Sequence, residues 1–157
     1  MGVRGIRLRE GDFVVGAAIA EPELTLLSVT ENGYGKRTEI SEYIRGEDGP
    51  HRRGGMGLKN YQVTEKTGKV ADCRVVRESD DVLIISDDGT IIRTAAGDIS
   101  VYGRSTQGVR LMRVAEGSRV ISVALTDKEE AEETAESLEN AGFDGEGSAE
   151  AEAPAEE

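Results

Sequence analysis

Apolar residues along the chain fall in short runs separated by turn residues. Phe13-Val14-Val15-Gly16-Ala17-Ala18-Ile19 leads into Glu21-Pro22-Glu23, and Leu24-Thr25-Leu26-Leu27-Ser28-Val29 leads into Glu31-Asn32-Gly33. Val82-Leu83-Ile84-Ile85 leads into Asp87-Asp88-Gly89, with Ile91-Ile92-Arg93 beyond. Asn-Gly and Asp-Gly between such runs signal tight hairpins, because both central residues tolerate positive φ. The pattern predicts hairpins over 24–38 and 82–94 and further strands over Val70–Val76 and Val120–Ala124. No sustained helical period occurs before residue 126.

At Thr126 the pattern changes. Thr126-Asp127-Lys128-Glu129 has the form of a capping box, and Ala131, Ala135 and Leu138 share one face of a helix ending near Asn140-Ala141-Gly142. Beyond it the chain is Gly, Ser, Ala and Glu, too polar to bury a core and expected to be disordered. The expected division is a β domain over 1–125 and an acidic tail over 126–157.

The β region repeats. Gly2-Val3-Arg4-Gly5-Ile6-Arg7 matches Gly57-Leu58-Lys59-Asn60-Tyr61-Gln62 and Gly108-Val109-Arg110-Leu111-Met112-Arg113, at spacings of 55 and 51 residues. Val15-Gly16, Val70-Ala71 and Ile121-Ser122 keep the same phase within each unit. Asn32-Gly33 with Arg37-Thr38 is answered 56 residues later by Asp88-Gly89 with Arg93-Thr94. A period near 50 residues with about four strands per unit describes blades of a propeller-like array: two units and the opening of a third.

Composition supports this reading. Gly numbers 20 of 157, against a usual share of roughly 7%, and Pro only 3, as many tight turns require. A single Cys (Cys73) and a single His (His51) cannot make a disulfide framework or a Cys/His zinc site. No apolar stretch is long enough for a membrane-spanning helix, and the first residues lack a signal-peptide core. Thirteen of the 31 acidic residues, but one of the 19 basic ones, lie in Asp127–Glu157, so the tail carries the whole net charge of −12. The preceding body is neutral, and overall acidity does not exclude nucleic acid.

The candidate chemistry is cationic rather than catalytic. Arg4, Lys59 and Arg110 share one repeat position, and Arg37 and Arg93 another. Such cations would form a discontinuous track for a phosphate backbone; ordinary solvent-facing strand residues would give the same spacing. His51-Arg52-Arg53-Gly54-Gly55-Met56-Gly57 combines guanidinium forks with backbone that can approach an anion closely, or is a solvated loop. Glu31-Asn32-Gly33-Tyr34-Gly35-Lys36-Arg37-Thr38 fails as a P-loop: Arg37 stands where Ser or Thr is needed, Thr30 where the first Gly belongs, and no helix follows. Lys36 and Arg37 remain candidate backbone contacts. The lone His51 has no partnering nucleophile motif, and the carboxylate pairs Asp80-Asp81 and Asp87-Asp88 sit at turns, where Asp serves local hydrogen bonding.

Several stretches resemble a known family. Val29-Thr30-Glu31-Asn32-Gly33-Tyr34-Gly35-Lys36-Arg37-Thr38 with Ser41-Glu42-Tyr43, Lys59-Asn60-Tyr61-Gln62-Val63-Thr64-Glu65-Lys66, and Ile99 through Arg113 resemble the late blades of the C-terminal domain of DNA gyrase A proteins, type IIA topoisomerases. The likeness covers roughly residues 2–125. It implies an all-β partial β-pinwheel, about two four-stranded blades plus the start of a third, that binds and wraps duplex DNA without sequence specificity. In that family wrapping supports ATP-dependent negative supercoiling. The resemblance also implies that ATP and Mg belong to a holoenzyme with gyrase B and the rest of gyrase A, and that the catalytic Tyr lies in a breakage-reunion region outside this chain. It therefore implies no cofactor, no metal, no catalytic site and no small-molecule substrate here, and a cytoplasmic, nucleoid-associated fragment. Arg52-Arg53-Gly54-Gly55-Met56-Gly57 resembles the family's Gln-Arg-Arg-Gly-Gly-x-Gly box, with His51 in place of Gln and late-blade neighbours, so it resembles a repeat-equivalent box rather than the primary one. Expected phosphate contacts are Arg4, Lys36, Arg37, Arg52, Arg53, Lys59, Arg93, Arg104 and Arg110. The alternatives are the corresponding C-terminal domain of the related topoisomerase IV and a β-repeat protein-interaction module.

Overall fold

The computed structural model describes residues 1–44 and 53–126. The expected tail helix, most of the acidic tail, and His51 and Arg52 of the box-like loop lie outside the described residues. Two units emerge, Met1–Thr126 and Asp127–Glu157.

The first unit holds seven strands: β1 (Thr25–Thr30), β2 (Tyr34–Glu39), β3 (Val70–Val76), β4 (Asp81–Ser86), β5 (Ile91–Ala95), β6 (Val109–Arg110) and β7 (Val120–Thr126). Two short 3-10 turns, Ile40–Tyr43 and Ala96–Asp98, follow β2 and β5. One sheet has the order β3-β1-β2-β6 and the other β5-β4-β7, with every pairing between these strands antiparallel.

Both expected hairpins form, and their turns are more specific than the dipeptides suggested. The links after β1 and β4 place only Gly33 (φ 77°) and Gly89 (φ 85°) in the left-handed region; among the described residues no non-glycine has positive φ. The amide of Gly33 donates to Thr30 O at 2.9 Å, and that of Gly89 to Ser86 O at 3.1 Å. At Gly33 a Cβ would also collide with Met112 O, so glycine meets a conformational and a spatial need together.

The repeat survives to the level of register. Leu27 pairs Arg37 in the first hairpin as Leu83 pairs Arg93 in the second. β3 joins β1, and β7 joins β4, with a register shift at Val29/Thr30 and its counterpart at Ile85/Ser86. The bulges align Val70 with Val120, which corrects the sequence phasing of Val70 with Ile121 by one residue. Phe13–Ile19 forms no strand among the described residues, although it lies against β3: a Cβ on Gly16 would be 2.9 Å from Cys73 Sγ. The described sheets are thus one of four strands and one of three.

A single core joins the sheets, built from Leu27, Val29, Val76, Val82, Ile84, Ala96, Ile99, Met112, Val120 and Val123. Seven of these lie on β1, β3, β4 and β7, and Ala96, Ile99 and Met112 come from the turn and connecting segments beside them. The junction between β3 and β7 is polar: buried Asp72 accepts from the Val123 amide at 2.9 Å and from Arg74 at 3.1 Å, while Arg74 Nε donates to Val123 O at 3.0 Å. This network pairs every group it buries, as an interior of low dielectric requires.

Candidate nucleic-acid interface

Two of the nine expected phosphate contacts are withdrawn by burial. Lys36 is 0% exposed and Arg37 3% exposed. The Lys36 ammonium donates to Gly103 O and Arg104 O, both at 2.7 Å, and lies 5.1 Å from the centre of the Tyr61 ring. Arg37 Nε donates to Ile99 O at 2.7 Å and its fork to Gly97 O at 3.2 Å; Thr38 donates to Tyr102 O at 2.8 Å. β2 therefore uses three successive polar side chains to hold the carbonyls of residues 97–104. Burial lowers the Lys36 pKa from the usual lysine value to about 8, and burial likewise raises the Tyr61 phenol to about 12.

The remaining described candidates are less committed. Arg4, Arg53, Lys59, Arg93 and Arg110 are exposed, and Arg104 is partly buried. Arg93 is bound to Asp81, with Nε at 2.7 Å and the terminal nitrogen at 2.5 Å, which reduces its free charge. Arg104 lies 3.7 Å from Glu42 and over the Tyr43 ring at 5.9 Å, and its Nε is buried without a hydrogen bond among the described residues. In the box-like loop, Gly54 and Gly57 take positive φ, and backbone bonds tie Gly54 to Gly5 at 2.8 Å and Gly55 to Arg7 at 2.7 Å. Met56 is exposed beside them.

The structure assembles one cationic cluster that the sequence pattern did not reveal. Arg110 lies over the Tyr34 ring at 5.2 Å and donates to its hydroxyl at 2.8 Å, while Lys66 lies 5.3 Å from the same ring. These residues and Arg113 line a concavity of about 450 Å³ that also includes Asn32 and Glu116. A second concavity, about 690 Å³, is lined by Arg7, Arg9 and Lys59 with Asp12. Arg7 and Arg113 hold the same place in the repeated hexapeptide, so the two hollows share a repeat position. That signal was visible for Arg113. Lys66 has no basic counterpart in the other repeats, and nothing local marked it. Among the described residues no group of three or more His, Cys, Asp or Glu is arranged to hold a metal, and no helix is long and apolar enough to cross a membrane.

Comparison with known proteins is consistent with this architecture. The family described as DNA gyrase C-terminal domain, beta-propeller, matches residues 1–21, 25–77 and 80–127. The DNA gyrase A protein of Staphylococcus epidermidis is 45% identical over 131 residues, covering 82% of this chain and 14% of that protein. The gyrase A protein of Staphylococcus aureus is 42% identical over 137 residues, covering 86% of this chain and 15% of that protein. The chain thus spans about one seventh of the relatives it matches. A solved DNA gyrase A C-terminal domain superposes with a TM-score of 0.70 at 33% identity, covering 79% of this chain and 41% of that one. The C-terminal domain of a DNA topoisomerase IV shares the fold with a TM-score of 0.71 at 24% identity, covering 90% of this chain and 43% of that one. With its all-β sheets, its register-true repeat and the family match over both, the chain belongs to the DNA gyrase C-terminal domain family and has the propeller-like β-pinwheel fold.

Proposed function

We propose that this chain binds duplex DNA through its phosphate backbone and serves as part of the wrapping module of the gyrase A protein. The observation that carries the reading is a pair of cationic hollows, Lys66, Arg110 and Arg113 in one and Arg7, Arg9 and Lys59 in the other, with Arg7 and Arg113 at one repeat position. Cations fixed at a repeat interval suit a bent polyanion, because each repeat can neutralise phosphates and release counterions without reading bases. Tyr34 holds Arg110 and Lys66 on a rigid aromatic plate, which limits the side-chain entropy lost on contact. Arg4 and Arg53 supply further exposed charge.

On this reading supercoiling belongs to the larger assembly with gyrase B and the remainder of gyrase A. The chain itself needs no cofactor, ATP and Mg acting elsewhere in that holoenzyme, and the working compartment is the cytoplasmic nucleoid. Catalysis is supplied by parts of the larger protein outside this chain.

The test is a salt titration of duplex affinity. Log affinity should fall linearly with log salt, and Lys66→Ala with Arg110→Ala and Arg113→Ala should flatten the slope by about 2–3, with no change in preference between unrelated duplexes. A chain with no duplex affinity at low salt would favour the alternative of a β-repeat protein-interaction module. The topoisomerase IV reading shares the fold and predicts the same titration.

A further inference from the structure

Asn32 is not the turn residue that its place before Gly33 suggests. In that link only Gly33 takes positive φ, so the backbone there asks nothing of an asparagine. At the matching position 56 residues on, Asp88 does serve its own turn: it accepts from Ser86 Oγ and, at 2.9 Å, from the Thr90 amide. The carboxamide nitrogen of Asn32 instead donates to Glu65 O and Lys66 O, both at 3.1 Å, and its backbone amide donates to Thr67 O at 3.1 Å. One residue of the first hairpin thus holds three successive carbonyls of a distant segment.

That segment is a single closed turn. The Gly68 amide donates to Thr64 O at 3.0 Å, with Gly68 at φ 71°. The Thr64 amide donates to Thr67 Oγ1 at 3.0 Å, and the Thr67 amide to Thr64 Oγ1 at 3.3 Å. A turn of this kind satisfies its first carbonyl and leaves the next three needing donors from outside. Gly68 also lets it close beneath the carboxamide, since a Cβ there would lie 3.1 Å from Asn32 Cγ. Thr67 is fully buried, whereas Lys66 is exposed, its ammonium 5.3 Å from the centre of the Tyr34 ring. Arg110 lies over the same ring, and Arg113 lines the same hollow. A lysine on a free loop would lose backbone as well as rotamer freedom on meeting a phosphate; here the backbone freedom is already removed.

We propose that Asn32 is a positioning residue for phosphate-backbone recognition: by holding the carbonyls of Glu65, Lys66 and Thr67 it fixes Lys66 at the Tyr34 ring beside Arg110, so that both cations meet one stretch of duplex DNA backbone. This rests on the DNA-binding function proposed above and adds to it a neutral side chain that raises affinity without bringing charge. An aspartate, its counterpart in the other hairpin, would set a carboxylate against three carbonyl oxygens and could not do the same.

The test is a double-mutant cycle on the full chain, read as affinity for a short duplex of arbitrary sequence at low salt. Asn32→Ala should weaken binding about threefold to tenfold in the unmodified chain. In a Lys66→Ala background the same change should cost nothing further, because the lysine it positions is gone. In an Arg53→Ala background, where a cation of the box-like loop is removed instead, the full loss should persist. An equal loss in all three backgrounds would mean that Asn32→Ala acts through the fold at large, and no loss in any would mean that Lys66 needs no support; either overturns the proposal. An unmodified chain without duplex affinity would overturn the DNA-binding function itself, and this inference with it. Asn32 is exposed and its hairpin closes through Gly33, so alanine should leave the fold intact; if it does not, Asn32→Ser, which suits a turn but cannot supply two donors, runs the same cycle with the same outcomes.

Discussion

Arg37 and Arg93 occupy one register position in two hairpins, opposite Leu27 and Leu83, yet one is buried and the other exposed. The difference is supplied by residues distant in the chain: Ile99 and Gly97 offer carbonyls to Arg37, and no equivalent covers Arg93 among the described residues. Repeat position identified both as basic but could not separate them, because burial of a side chain is decided by what packs on it. Lys36 makes the same point with a measurable sign. Its folded pKa of about 8 lies below the ordinary lysine value, so its contribution to stability is smallest below pH 8 and grows as pH rises toward 10.5. Lys36→Met should cost about 1–3 kcal/mol at pH 7 by stripping the donor from Gly103 O and Arg104 O. The gap to the unmodified chain should widen by about 1–2 kcal/mol between about pH 8 and 9.5. Tyr61, whose raised pKa removes no stability below about pH 10, is present in both proteins and cancels. Urea melts across that range check the sign, and a constant or shrinking gap would contradict it.

At the scale of elements, the hairpins were legible because their determinants are local. Asn32-Gly33 and Asp88-Gly89 fix each reversal, and the flanking Val, Ile and Leu fix the buried face. The two-residue strand β6 was legible only as part of a repeat, since Val109-Arg110 has no alternation of its own. The hold of Lys36, Arg37 and Thr38 on residues 97–104 was not legible at all: it is a set of backbone acceptors, which no side-chain pattern records. Phe13–Ile19 is an apolar run in the sequence, but a strand is defined by a partner, and no ladder forms there among the described residues. The two turn glycines give a matched pair of predictions. Gly89→Ala meets open space and bears only the left-handed backbone cost, about 1 kcal/mol. Gly33→Ala adds a collision with Met112 O and should cost at least about twice as much. Thermal melts of the two variants should rank them in that order; equal losses would mean that the contact yields freely.

For the molecule as a whole, charge is partitioned by sequence: the acidic excess resides in Asp127–Glu157, while the body carries the exposed cations. On the function proposed above, a tethered polyanion would compete with DNA for those cations. Removing residues 127–157 should therefore strengthen duplex binding at low salt, with the gain fading as ionic strength shortens the screening length to about 8 Å near 0.15 M. Equal affinity at low salt with and without the segment would rule out that competition.

The interlocking of successive repeats also bears on how the chain is made. β2 is complete only when Val109-Arg110 has arrived, and Tyr34 and Arg110 are separated by 76 positions. At ribosomal speeds of about 5–20 residues per second, several seconds pass between emergence of the first hairpin and arrival of its covering strand. During that interval Gly35 and its neighbours form a bare ladder edge on a nascent chain, and neighbouring ribosomes on one message would hold identical edges side by side. The spacing of the repeat thus sets a waiting time in translation, in which holdase chaperones or slow local decoding would decide between correct closure and pairing with the wrong chain.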